Sequence, residues 1–192
     1  MLDTIGQIDH ELFAYINHGI SNEFFDSITV FVREKIVWLL LYLFLISFFI
    51  FNFSKKGILI ILFAFLTAGS SDYISASIIK PYVERLRPCN DVNNNPDIVI
   101  RVGCGHGYSF PSSHASNHFA IATFFFLAFG GIVKKRYSSI LFLWALLISL
   151  SQVYVGVHYP SDIFVGSLLG ISIGIILYYL EEKTASKIFK KV

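Results

Sequence analysis

Five long apolar runs leave this chain few architectures: residues 37–53, 57–79, 114–133, 139–157 and 163–180 are dominated by Leu, Ile, Phe, Val, Ala and Gly. About 20 helical residues cross a hydrocarbon core, and each run meets or approaches that length. Strands of a membrane barrel would instead alternate apolar and polar residues over about ten positions. The sequence therefore predicts an all-α, polytopic membrane helix bundle with five transmembrane helices. Of 192 residues, 55% are hydrophobic and 15% charged, which suits one domain with too little polar surface for an ordinary soluble protein.

The first 36 residues read differently. Leu2, Ile5, Ile8, Leu12, Phe13 and Ile16 recur at helical spacing among Asp3, Asp9 and Glu11, predicting an amphipathic helix that lies in the membrane interface. The segment lacks the basic start and small-residue cleavage pattern of a signal peptide. Residues 24–32 are apolar but too short to cross alone, which leaves a sixth span open. The expected organisation is a single membrane-embedded domain over 1–192. Within it, 1–36 is interfacial, 37–180 is the transmembrane bundle, and 181–192 is a basic cytoplasmic tail. In the last run Gly166, Gly170 and Gly174 stand four apart, which suits either a packed helix face or mere tolerance of glycine in lipid.

Basic residues set an orientation. Lys55 and Lys56 separate the first two runs, Lys134, Lys135 and Arg136 the third and fourth, and Lys183, Lys187, Lys190 and Lys191 follow the fifth. All would share one side, expected to be cytoplasmic. The formal charge of +2 then needs no nucleic-acid partner.

Three polar clusters fall on the opposite side. Cations, hydroxyls, histidines and a carboxylate are costly beside hydrocarbon, so their gathering at run ends needs a compensating reason, and a phosphate-handling site supplies one. Lys80 and Arg87 offer an ammonium and a planar guanidinium to one anion, or they serve as interfacial anchors. Pro111-Ser112-Ser113-His114 sits where a helix should begin. Free amides there would bind an anion and His114 would carry a proton, unless this is an ordinary serine cap. In His158-Tyr159-Pro160-Ser161-Asp162, a carboxylate can orient an imidazole for attack on phosphorus, or Asp162 simply favours a helix dipole.

In order, Lys80-x6-Arg87-Pro88, Pro111-Ser112-x-His114 and Ser151-x6-His158-x3-Asp162 resemble the three motifs of the type 2 phosphatidic acid phosphatase family, the lipid phosphate phosphatases. The resemblance implies His158 as the nucleophile that forms a phosphohistidine and Asp162 as its orienting partner. It implies His114 as the acid for the leaving group and then the base for water. Lys80, Arg87, Ser112 and the amide beside Ser113 would hold phosphate oxygens, with no metal and no cofactor. Two positions depart from the pattern. Ser113 stands where the family usually has glycine, which preserves the amide. Gln152 stands where the family pattern has arginine; it is expected to meet phosphate as a hydrogen-bond donor, but one cationic partner of the transition state is missing. Arg101, Arg85 or Lys35 are the candidate substitutes.

The remaining polar residues read as background. Arg85 and Glu84 are expected to be solvated, His10 and His18 interfacial, and His106 a loop residue. His118 would be a satisfied histidine between helices or line the cavity of His114. Asp72 is expected to face the bundle interior with a partner. Cys89 and Cys104 share one non-cytoplasmic loop and are expected to form a disulfide, free thiols being the alternative.

The expected activity is removal of phosphate from a membrane lipid monophosphate or diphosphate at the non-cytoplasmic face of the cell membrane. Undecaprenyl diphosphate leads by family analogy. Lipid A phosphatase, phosphatidylglycerophosphate phosphatase and lipid phosphotransferase are the alternatives. A non-catalytic lipid-binding or transport protein is the alternative class, favoured if Gln152 abolishes turnover. The sequence carries no sign of oligomeric state.

Overall fold

The computed structural model describes residues 2–91 and 93–189, with side chains from Gly6 onward except that of Lys35. The tail lysines Lys190 and Lys191, and the predicted contributions of Leu2, Asp3 and Ile5, lie outside these. The described chain is helical, with no strand among its elements. In order the helices are α1 (Leu2–Ala14), α2 (Glu23–Val32), α3 (Leu39–Asp72), α4 (Lys80–Val83), α5 (Ser113–Ala128), α6 (Lys135–Ser138), α7 (Ile140–Tyr154) and α8 (Pro160–Phe189). Short π-helical turns at Tyr15–Gly19 and Tyr73–Ile79 extend α1 and join α3 to α4.

The first two apolar runs are two arms of α3. The chain reverses at Ser54, whose φ of 47° breaks the helix, and a Cβ on Gly57 would fall on the carbonyl of Phe49. Only glycine permits so close a return of one arm onto the other. Among the described residues three stretches, Ile36–Asn90, Lys135–Tyr154 and Pro160–Phe189, are long and apolar enough to cross a membrane. The third apolar run behaves otherwise. Its helix α5 has 16 residues, about 24 Å at 1.5 Å per residue, because the chain turns at Gly130 and Gly131 before Lys134.

α5 is the central element, packed against α3, α7 and α8. The glycine stripe of α8 makes its tightest contact. A Cβ on Gly166 would stand 2.6 Å from the Ser112 carbonyl, one on Gly174 2.6 Å from the Ala120 carbonyl, and one on Gly170 would overlap the Ser116 carbonyl. The four-residue spacing is therefore a packed face, along which the two backbones touch. On the other side of α5, Phe49, Phe125 and Phe129 pack together with ring centroids 5.1–6.4 Å apart. Ser71 and Ser116 share a buried hydrogen bond of 2.6 Å. Asp72 lies at the surface of its helix, not in the interior, where it accepts from Asn117 Nδ2 at 2.9 Å.

The N-terminal segment wraps the end of the bundle that carries the polar clusters. Helix α1 buries Asp9 and Phe13 and leaves Ile8 and Leu12 exposed, so its inward face holds a carboxylate that amphipathic spacing alone assigns to water. Asn17 donates to the carbonyls of Val99 and Tyr154 at 2.9 and 2.8 Å and accepts from Val99 N–H at 2.8 Å. Arg101 joins the same knot, reaching Asp26 and the carbonyls of Asn17 and Tyr154 while its guanidinium covers the Tyr154 ring. A disulfide joins Cys89 to Cys104, their Cα atoms 5.9 Å apart.

Candidate active site

Helix α8 begins with Pro160, whose missing N–H costs nothing at a first helical position. Asp162, two residues on, reaches back so that Oδ2 accepts the Tyr159 N–H at 2.9 Å, as in a capping box. The same oxygen lies 3.2 Å from Nδ1 of His158. Both side chains are buried, His158 2% and Asp162 0% exposed. A carboxylate accepts only, so Nδ1 carries the proton and Nε2 presents a lone pair. The turn bearing His158 is held from behind, since the Gln152 carbonyl accepts the N–H groups of Val157 and His158 at 3.1 and 3.2 Å. Gly156 closes that turn with a φ of 89°, which an L side chain would strain.

The first polar cluster arrives from the π-helical turn and α4. Lys80, 8% exposed, donates to the carbonyls of Tyr108 and Ser109 at 2.8 and 3.0 Å. Glu84 takes a left-handed φ of 55°, which ends α4 and turns the chain so that residues 85–87 run beside 107–109. Ser109 N–H donates to the Arg85 carbonyl at 2.8 Å. Arg87 Nη1 then comes 3.3 Å from His158 Nε2 and donates to the Val157 carbonyl at 3.2 Å. The charges of Lys80, Arg87 and Asp162 all act on His158. Burial nevertheless dominates and pulls the imidazole down to about 4, against the upward pull of Asp162. His158 is thus a neutral imidazole near pH 7.

The second cluster meets the third through backbone. Ser112 caps α5, its hydroxyl accepting the Ala115 N–H at 3.4 Å, while its own N–H donates to the Asp162 carbonyl at 3.0 Å. Ser113 accepts from Ser75 Oγ at 3.0 Å. His114 is half-buried in the first turn of α5, its ring parallel to that of His118 one turn on, at 6.3 Å. His118 is buried, its Nδ1 2.8 Å from the His114 carbonyl and its ring packed on Trp144. It also lines an apolar cavity of about 280 Å³ bounded by α3, α5 and α7, with Asn117, Tyr42, Phe125 and Trp144 among the walls.

His158, Asp162, Arg87, Lys80 and the Ser112 amide therefore converge, and the helix that carries His114 starts at the same place. Gln152 is fully buried and turned into its own helix, Nε2 meeting the Ile148 carbonyl at 3.3 Å and Ser151 Oγ at 3.4 Å. Its Oε1 is buried with no hydrogen-bond partner among the described residues. Of the suggested substitutes, Arg101 is committed to the knot around Tyr154, and the side chain of Lys35 lies outside those described.

Arg85 is not a solvated neighbour. Its Nη1 donates to Asp162 Oδ1 at 2.8 Å and its Nη2 to Asp9 Oδ2 at 2.6 Å, and its guanidinium covers the Tyr159 ring at 4.0 Å. Sequence reasoning missed Asp9, and it named Arg85 only as a possible stand-in for the missing cation, not as a partner of Asp162. For Arg85 the adjacent motif arginine was a signal, whereas a lone acid on an amphipathic helix gave none for Asp9. Among the described residues, no group of three or more His, Cys, Asp or Glu side chains stands ready to hold a metal ion.

Comparison with known proteins shows the family. The model of the PAP2 superfamily matches residues 57–185. A lipid A 4'-phosphatase of Bacteroides thetaiotaomicron is 33% identical over 192 residues, spanning 98% of this chain and 83% of that protein. An undecaprenyl-diphosphatase of Sulfolobus acidocaldarius is 32% identical over 57% of this chain and 50% of that protein. The crystal structure of Aquifex aeolicus LpxE superposes with a TM-score of 0.63 at 30% identity, covering 87% of this chain and 92% of that one. With the motif residues gathered at one end of an apolar helical bundle, this multi-pass membrane chain belongs to the PAP2 superfamily and is a phosphatase that hydrolyses phosphate esters.

Proposed function

We propose that this protein is a lipid phosphate phosphatase working through a phosphohistidine on His158, with a lipid A-type phosphorylated glycolipid as its substrate. The observation that carries the mechanism is the dyad. Asp162 holds the Nδ1–H of a buried, neutral His158 and leaves Nε2 as the nucleophile. Arg87 sits on that lone pair at 3.3 Å, and an entering phosphate would draw the guanidinium onto its own oxygens. Lys80 and the amides at the start of α5 then receive the remaining charge. His114 gives a proton to the leaving oxygen and later takes one from water.

The substrate class rests on two supports. The relative aligned over nearly the whole chain is named a lipid A 4'-phosphatase, whereas the undecaprenyl-diphosphatase aligns over little more than half. Undecaprenyl diphosphate, favoured from sequence alone, accordingly becomes the second candidate. The apolar cavity beside His118 suits the chain of a lipid rather than a soluble leaving group. Five crossing segments fit the fold, two from α3 and one each from α5, α7 and α8, over a single domain. The Lys56–Glu182 ion pair of 3.1 Å gathers the α3 turn and the end of α8 at the pole away from His158. Positive-inside orientation then puts the site on the outer face of the cytoplasmic membrane.

The test is phosphate release by purified protein from lipid A, undecaprenyl diphosphate, phosphatidylglycerophosphate and phosphatidic acid, with and without chelator. Turnover of lipid A above the others, an acid-labile phosphoryl adduct and its loss in His158→Ala are expected. Substantial turnover by His158→Ala sinks the mechanism. Preference for undecaprenyl diphosphate sinks the substrate assignment, and loss on chelation with rescue by magnesium sinks the metal-free chemistry.

A further inference from the structure

We infer that Asp9 and Arg85 are positioning residues of the phosphatase, forming with Asp162 a carboxylate–guanidinium–carboxylate chain that makes the N-terminal helix a working part of the active site. The inference rests on the proposed role of His158. It extends the site beyond the residues matched by the family model, which begin at 57.

The two oxygens of Asp162 are divided. Oδ2 serves His158 Nδ1 and the Tyr159 N–H, and Oδ1 serves Arg85 Nη1 at 2.8 Å. A buried carboxylate held on both oxygens cannot rotate, so the imidazole orientation depends on the Oδ1 contact as well as on Oδ2. Arg85 is itself divided. Nη2 goes to Asp9 at 2.6 Å, Nη1 also donates to Ser161 Oγ at 2.6 Å, and the guanidinium plane lies over Tyr159. Without Asp9 the fork would be free to take both oxygens of Asp162, the favoured bidentate arrangement, and so compete with His158.

Asp9 is also tied to the helix that carries Asp162. Its Oδ1 accepts the Ser161 N–H at 2.8 Å, in the first turn of α8. That amide has no partner within its own helix, and a carboxylate there is doubly favoured by hydrogen bond and dipole. The neighbours of Asp9 grip the same turn. His10 and Phe13 pack on the Tyr159 ring at 4.8 and 5.3 Å, and Asn95 donates to the Tyr159 hydroxyl at 2.8 Å. An acid 6% exposed on a helix whose Ile8 and Leu12 face outward therefore matches a defined cationic partner.

The test uses full-length protein in detergent with para-nitrophenyl phosphate as probe. Asp9→Asn is expected to lower kcat about tenfold and Arg85→Gln about a hundredfold, the scale of a small misplacement of a reacting group. KM should change less than about twofold, because Lys80 and Arg87 remain. The double variant should be no slower than Arg85→Gln, since the two act in series. The acidic limb of kcat/KM should move in opposite directions. Removing the Arg85 charge favours protonated His158, and removing the Asp9 charge disfavours it, with Asp162, Arg87 and Lys80, the other charges facing His158, left unchanged. A merely structural role predicts lower thermal stability with normal kcat in the folded fraction. That result, additive losses, or limbs moving together would overturn the inference. Asp9→Asn alone suffices if Arg85→Gln does not fold. Wild type without turnover of the probe or of any lipid would instead count against the phosphohistidine reading.

Discussion

Gln152→Arg tests whether this enzyme runs one cation short. The family arginine that Gln152 replaces would be buried, because the glutamine is fully buried and only its amide nitrogen is satisfied. In the substrate-free protein a new guanidinium near Arg87 and Lys80 is unfavourable. At roughly 8 Å and an effective dielectric of 20, one like-charge pair costs about 2 kcal/mol. Thermal stability should fall, and orthovanadate or phosphate should restore it. With phosphate bound, one charge-assisted hydrogen bond contributes about 1.5 to 3 kcal/mol. At 1.4 kcal/mol per factor of ten, kcat/KM should rise at least about tenfold. Initial rates of phosphate release and melting curves with and without vanadate measure both effects. The reasoning assumes that no other cation already fills the gap. Arg85 is spent on Asp9 and Asp162, and Arg101 on Asp26 and the Tyr154 carbonyl. Arg33 is less committed: its Nη1 stands 3.8 Å from Glu34 Oε1, its Nε is buried without a hydrogen-bond partner among the described residues, and its charge reaches Arg87. If Gln152→Arg leaves kcat/KM within twofold while Arg33→Ala costs tenfold or more, the gap is already filled and the reasoning fails.

The acidic limb of kcat/KM should lie near pH 4, where burial places His158, well below the ordinary imidazole value of about 6.5. The same depression means that the unfolded chain binds the extra proton between about pH 4 and 6.5, so stability should rise with pH across that window. A limb at 6.5 in a pH–rate profile, or flat stability there, would contradict it. Gly170→Ala places a Cβ on the α5 backbone at Ser116 and Ala120, whereas Gly69→Ala meets nothing within 4 Å. The first should cost about 1 to 3 kcal/mol by overpacking, the second much less, and equal melting temperatures would refute the contact. Engineered cysteines at Asn94 should react with an impermeant maleimide on intact cells and those at Lys135 only after permeabilisation. The opposite pattern would invert the proposed topology.

Much of the site was legible in the chain because its parts are local. The Asp162–His158 pair lies within one turn at a helix start, Pro160 marks that start, and Ser112 marks the start of α5, so spacing alone located these helix starts and this contact. The membrane character and the helical class followed from the apolar runs for the same reason, since each run is its own evidence. Hydrophobic periodicity on α1 was likewise local, yet it did not reveal which face is inward. A carboxylate belongs with water unless a partner of opposite charge waits across the interface, and Arg85 stands 76 residues away from Asp9. The reversal between the first two apolar runs was legible from Lys55 and Lys56, but spacing could not tell that Gly57 lets the returning arm touch the Phe49 carbonyl, or that Arg101 is consumed in a knot with Asp26 and Tyr154. The types of residue and their neighbours in sequence determined what chemistry was present. Which charges neutralise one another, and so which remain for phosphate, was decided by contacts that only the packed tertiary structure brings within hydrogen-bond distance.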